Sequence, residues 1–364
     1  MRDLWIHDND LIVATHGRSL WILDDFSPLR QAKSAAAGQD LLFTPAAAIR
    51  SRQSTYAETP IPPDEPLAQN PPSGAVLDYY LAQSSPGPVT IEILDGAGKI
   101  VRRFASDDPP DVTPDELQKQ MVPPSWGRPP ENPGTSAGMH RFVWDLTYDA
   151  PVSVTHEYPI TAVPGDTPRL PLGPVAVPGR YTVRLTAGGR SYSAPLTVKL
   201  DPRVKTPLPG LQQMFALQQR LASLVDRSSR AVLPAKSLQE QTSRLEPKGD
   251  LAEALKAFKA RVSEALDGPE NPPAGGPKPI GLSSLNDDAY SVYGLVSQVD
   301  AAPTTAQAAA ARKIESDLAP AIASWEKILK TDLPALNARL KQAGLPELNP
   351  ERKAQGAESQ GNEE

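Results

Sequence analysis

The run Asp10-Leu-Ile-Val-Ala-Thr-His-Gly-Arg-Ser-Leu-Trp-Ile-Leu-Asp-Asp25 constrains the fold of this chain more than any other stretch. It reads as two short β-strands, Leu11 to Ala14 and Leu20 to Leu23, joined by a turn at Gly17. A third strand is expected from Asp3 to His7, ended by the turn-forming Asp8-Asn9-Asp10. Three strands in 25 residues make one blade of a repeat, and a lone blade cannot cover both faces of its sheet. The chain is therefore expected to be the tail end of something larger.

Composition narrows the alternatives. The 364 residues allow two or three domains. A formal charge of −6 argues against a nucleic-acid or anionic-membrane surface, so neither partner is expected. With no cysteine, disulfides, thiolate metal sites and a thiol nucleophile are excluded. No apolar run approaches the roughly 18 residues that a membrane span needs. Asp3, Asp8 and Asp10 and the lack of an apolar h-region argue that the first residues are not a signal peptide. The 41 prolines are about twice the usual share and cluster between elements, which suggests long ordered loops and linkers.

Past the blade (residues 1–30), residues 31–73 read as a linker and exit segment. Gln31 to Gln39 is rich in Ala and Ser, Leu41 to Arg50 is extended, and Ser51 to Ser73 is a Pro-rich loop. Residues 74–202 carry period-two alternation at Val76–Leu81, Val89–Ile93, Lys99–Phe104, Phe142–Leu146, Arg180–Leu185 and Tyr192–Leu200, with Pro195 marking an outer strand. Six or seven such strands predict a β-sandwich, Ig-like or fibronectin type III-like. A Pro-rich insertion at 107–138 holds a short helix from Thr113 to Met121. From Pro207 the apolar period becomes about 3.6. Stripes start at Leu211, Leu251, Leu285 and Ile314; capping boxes are expected at Asp250–Glu253 and Thr304–Gln307, a stop at Gly268, and kinks at Pro320 and Pro334. Residues 207–345 are thus a C-terminal α-helical bundle, and 346–364 a disordered tail. The fold class is multidomain β plus α.

Chemistry is sparse. His7 and His16, near Asp8, Asp10, Asp24 and Asp25, suggest a metal or acid–base site, but such residues at strand ends more often cap turns. Asp24 and Asp25 are adjacent, so they point to opposite faces of a strand and cannot flank a glycosidic bond. Trp5, Trp21, Trp144 and Trp325 sit at periodic positions and are expected to be packed. Two residues stand out as candidate ligand contacts. Trp126 lies off any strand in Pro123-Pro-Ser-Trp-Gly-Arg-Pro-Pro130, where it either staples the loop or presents an aromatic face to a sugar or peptide. Arg18, in the turn of the blade, either meets an anionic ligand or, as turn arginines more often do, is solvated or paired with a nearby Asp. No catalytic, cofactor-binding or metal-ligating set is assigned, and no cofactor is expected.

The Asn9–Asp25 run, with Asp3-Leu4 and Ser27-Pro-Leu-Arg30, resembles the last blade of bacterial sortilin-like β-propellers with BNR (Asp-box) repeats. Thr15-His-Gly-Arg-Ser-Leu-Trp21 is similar to the degenerate Gly-x-x-x-Trp end of such a repeat and lacks the full Asp box. Phe142-Val-Trp-Asp-Leu146, Pro178–Leu185 and Asp201-Pro-Arg-Val204 resemble, in order, the region that follows those propellers. The resemblance implies a periplasmic or extracellular parent protein, often labelled glycosyl hydrolase. It implies upstream blades as partners, and a protein or glycan as ligand. The chain is then a non-catalytic C-terminal accessory region. The alternatives are part of a sialidase-like hydrolase whose catalytic groups lie upstream, and a carbohydrate- or peptide-binding module.

Overall fold

The computed structural model describes residues 2–35, 38–52, 59–60, 62, 64, 70–110, 112–120, 122–123, 125–128, 131–161, 163–269 and 280–352. The chain mixes β-sheets in its first 200 residues with helices after them. Most of the Pro-rich loop at Ser51–Ser73, and all of the tail beyond Arg352, lie outside the described residues.

Strands β1 (Asp3–His7), β2 (Asp10–Ala14) and β3 (Leu20–Leu23) form an antiparallel meander in the order β1-β2-β3. The predicted linker begins instead as helix α1 (Ser27–Ala35). Pro28 suits a first helical turn, and the Asp25 carboxylate accepts from the Ser27 amide at 3.1 Å. The exit segment splits into β4 (Leu41–Leu42) and β5 (Ala48–Arg50), which join two different sheets.

Next come β6 (Ala75–Leu81), β7 (Thr90–Leu94), β8 (Ile100–Ala105), the short helix α2 (Pro114–Lys119), β9 (Gly138–Trp144), β10 (Gly179–Ala187) and β11 (Arg190–Leu200). Thr113 and Glu116 form a capping box on α2. One sheet runs β5-β11-β10-β7-β8 and the other β4-β6-β9. Their alternate residues meet in a single core that includes Leu77, Tyr79, Ile91, Ile93, Trp144, Val183, Leu185 and Leu196. Full burial of each such side chain stabilises by roughly 1.5–3 kcal/mol. Strand β11 is not an edge along its whole length, because β5 pairs in parallel with Val198–Leu200. Pro195 falls outside that paired stretch, where its missing N–H breaks no ladder.

Among the described residues five helices follow: α3 (Leu208–Ser243), α4 (Asp250–Asp267), α5 (Leu282–Ser297), α6 (Thr305–Lys327) and α7 (Leu333–Gln342). Their buried stripes make one second core, including Leu211, Leu221, Leu238, Phe258, Leu285, Tyr293, Leu318, Trp325 and Leu340. Helix α3 runs on through Pro234, so its stripe continues as Ala231, Val232, Ala235 and Leu238. The predicted box at Asp250 does not form. Gly249, at φ +62°, takes the cap position and makes Asp250 the first helical residue. The Thr304–Gln307 box does form, and Gly268 ends α4 at φ +81°. Helix α6 passes through Pro320, whereas the break before Pro334 is a π-turn over Ile328–Asp332. Val154 and Leu200 pack on the helical core, and the Tyr148 ring lies 4.9 Å from that of Phe215. Among the described residues no helix is long and apolar enough to cross a membrane.

Candidate functional site

Register across the meander defines its two faces. Trp5 pairs with Ile12 and Ile12 with Ile22; Leu4 pairs with Val13 and Val13 with Trp21; Ile6 pairs with Leu11 and Leu11 with Leu23. One face therefore carries Leu4, Ile6, Leu11, Val13, Trp21 and Leu23, and the other Trp5, Ile12 and Ile22. A sheet apolar on both faces has the pattern of one covered on both faces. Here every residue of β1 and β3 is exposed, with Trp5 at 64% and Trp21 at 65%. The expectation that Trp5 and Trp21 are packed is thus corrected. Their strand periodicity is real, but among the described residues no second layer lies against them. Trp144 and Trp325 are buried as expected.

An arginine joint carries this sheet. Arg141 of β9 donates from Nη1 to the Asp24 carbonyl and from Nη2 to the Asp25 carbonyl, both at 3.0 Å. Its Nε and Nη2 also grip the two carboxylate oxygens of buried Asp78 at 3.0 and 3.1 Å. Donating hydrogen bonds to Asp78 raises the Arg141 pKa above its ordinary value despite burial, and the charges of Asp78, Asp25 and Asp24 add to it. Asp25 sits in left-handed backbone at φ +46°, its amide bonded to the Asp10 carboxylate at 2.9 Å. The Phe26 amide reaches the Asn9 carbonyl at 2.7 Å, and Gln31 exchanges two hydrogen bonds with the Thr44 backbone. A shallow recess of about 130 Å³ remains between Leu23, Phe26, Leu29, Met139 and the Arg141–Asp78 pair. That is below the few hundred Å³ of a small-molecule site.

A second polar joint ties β5 to the helices. Arg50, 1% exposed, and Arg52 both donate to the Asp300 carboxylate, at 2.8 and 2.9 Å. Arg52 also donates to the Ser297 carbonyl, and the Thr206 hydroxyl to the Asp300 carbonyl. Burial lowers the Arg50 pKa, and Asp300 offsets this only in part.

The other candidates are dispersed. His7 pairs with Asp10 at one end of the meander, while His16 lies in the β2–β3 turn at the other. Arg18 is exposed in that turn; its carbonyl accepts from the Trp21 indole at 2.9 Å. His140 stacks on Tyr79 with ring centres 4.9 Å apart, and the buried Trp144 indole donates to the Thr147 carbonyl at 2.9 Å. Trp126 is half-buried, and its carbonyl accepts from the Thr167 amide at 3.0 Å in a bridge that fastens the Pro-rich insertion. Among the described residues no three His, Asp or Glu side chains are gathered as a metal ion would need.

Arg141, Asp78, Arg50 and Asp300 escaped the sequence reading. The available signal was an aspartate inside the apolar run Ala75–Leu81 and an arginine closing the apolar Ala46–Ile49 stretch. Compared with known proteins, the chain matches no family model and no curated protein.

Proposed function

We propose that this chain is the non-catalytic C-terminal accessory region of an exported, sortilin-like β-propeller protein. On this reading β1–β3 are the last blade, the two sheets sharing a core are an Ig-like sandwich, and α3–α7 are a bundle. The observation that carries the reading is the meander itself: apolar on both faces, exposed on both, yet fastened to the body by Arg141. Exposed apolar area of this kind marks a surface built to be covered. Companion blades of the same architecture would cover it, and the arginine joint would fix how the rest of the chain hangs from them.

Two measurements test the proposal. The coding sequence 5′ of Met1 is expected to hold in-frame strand–turn–strand repeats; an upstream stop codon with no such repeats overturns the reading. The chain by itself is expected to bind the dye ANS and to lose most of that signal in a Trp5→Lys/Trp21→Lys variant. Aryl glycosides are expected to remain unhydrolysed. Turnover that vanishes on changing Asp24 to Asn would make the chain an enzyme instead.

A further inference from the structure

The polar joint between β5 and the helices holds more hydrogen-bonding atoms than its own bonds use. Three N–H groups converge on one oxygen of Asp300: Arg50 Nη2 at 2.8 Å, Arg52 Nε at 2.9 Å and Arg52 Nη2 at 2.8 Å all meet Oδ1. The other oxygen, Oδ2, sits on a side chain only 4% exposed and has no hydrogen-bond partner among the described residues. The same holds for Nε and Nη1 of buried Arg50, and for Oε1 of Gln218, a fully buried residue of α3. Native interiors rarely leave such atoms unpaired, because each costs about 1–3 kcal/mol or more. The carboxylate cannot repair this by turning. A bidentate bridge to Arg50 needs Oδ2 to swing toward that guanidinium. The swing would pull Oδ1 off Arg52, which the Ser297 carbonyl holds, while the Thr206 hydroxyl holds the Asp300 carbonyl. Reversing the Gln218 amide does not help either. Its nitrogen donates to the Ser297 hydroxyl at 3.3 Å; reversed, the oxygen would take that bond and the nitrogen would be left over.

We propose that this joint is a binding site for internal water, in which a bound water molecule accepts from Arg50 and donates to Asp300 Oδ2. Nη1 and Nη2 share one carbon, as do Oδ1 and Oδ2. The unpaired donor and acceptor therefore each sit beside an atom of the 2.8 Å contact, where one molecule bridges them. That supplies the minimum of about two polar partners a buried water needs. The mixture of donors and acceptors selects water over an ion. A halide would satisfy the arginine and be repelled by the carboxylate. A metal cation would satisfy the carboxylate and face two guanidinium groups. Water both donates and accepts. It relieves the hydrogen bonds and not the charge, so Arg50 still depends on Asp300 as its counter-ion. Cut off from bulk solvent, the molecule leaves only when β5 parts from the helices, so its residence time reports the opening of that joint.

Two measurements on the whole chain test it. In a high-resolution crystal structure, grown with bromide in place of chloride, an oxygen-sized peak is expected about 2.7–3.2 Å from both Arg50 and Asp300 Oδ2, with no anomalous bromine signal. A bromine signal at that position overturns the proposal. So does a direct bidentate Arg50–Asp300 bridge with no peak, or a side chain filling the place. In solution, oxygen-17 relaxation dispersion counts the water molecules held longer than the protein takes to tumble. Arg52→Ala frees Oδ1, lets the carboxylate turn onto Arg50 and is expected to lower that count by about one. Arg50→Met with Asp300→Leu removes both polar partners and is expected to lower it equally. A count unchanged in either folded variant overturns the proposal. The crystal of the parent chain decides the matter even where a variant fails to fold.

Discussion

Removing the Asp300 carboxylate is expected to be among the most damaging single changes in the chain. The reasoning starts from Arg50. Its guanidinium is buried, and among the described residues its only hydrogen bond goes to Asp300 from Nη2, with no partner at Nε and Nη1. Asp300→Ala therefore strands a cation away from water, which costs about 3–5 kcal/mol. A domain holds only about 5–15 kcal/mol in total. Arg52 is about a quarter exposed, and its removal leaves the Arg50–Asp300 pair in place, so Arg52→Ala is expected to cost roughly 1 kcal/mol. Urea unfolding followed by tryptophan fluorescence suits the test, because Trp144 reports from the β-core and Trp325 from the helical core. In Asp300→Ala the midpoint is expected to fall steeply and the two cores to unfold in separable steps. Replacing the pair by Arg50→Met with Asp300→Leu is expected to recover stability to within about 1 kcal/mol of the parent chain. A loss below about 1 kcal/mol in Asp300→Ala would refute the argument that this ion pair shields a buried charge.

Three further outcomes are expected. Arg141→Ala leaves the buried Asp78 carboxylate without its cation; a loss of about 3 kcal/mol is expected, together with faster amide exchange at Asp25 and Phe26 but not along β10. Hydrogen bonds from Arg203 hold the Asp201 carboxyl at about 2, below its ordinary 3.8. A carboxyl depressed on folding contributes stability that is present above its unfolded pKa and is lost as pH falls toward 2, so an NMR titration is expected to place the Asp201 midpoint there and Arg203→Ala to return it toward 3.8. Gly173→Ala would put a Cβ 1.9 Å from the Tyr148 carbonyl oxygen, and a midpoint loss of about 1–3 kcal/mol is expected in thermal or urea melts.

The strands and helices were legible in the sequence where apolar periodicity is strong. The meander, the strands of the shared core and the stripes of α4 to α6 follow from it directly. Helix α1 was hidden because Gln31-Ala-Lys-Ser-Ala35 has linker composition and only its start, Ser27-Pro28, is a helix signal. The capping box at Asp250 misled because a glycine one residue earlier offered a backbone solution. Tryptophan periodicity gave the strand positions of Trp5 and Trp21 but not their exposure, since alternation fixes which way a side chain points and not whether anything lies there. The joints were least visible. Arg141 meets Asp24 across more than 110 positions of chain, and Arg50 meets Asp300 across 250, so no local pattern connects them.

The ten residues from Leu41 to Arg50 stitch both sheets together before Arg50 reaches the helices. Because β5 runs parallel to β11, tension between the N-terminal meander and α3 would draw the two strands lengthwise past each other. Their hydrogen bonds would then load together, in shear, and not open one at a time like a zip. A molecule tethered through its first strands would meet a mechanical load at this short parallel ladder, which makes β5 the fuse of the whole arrangement.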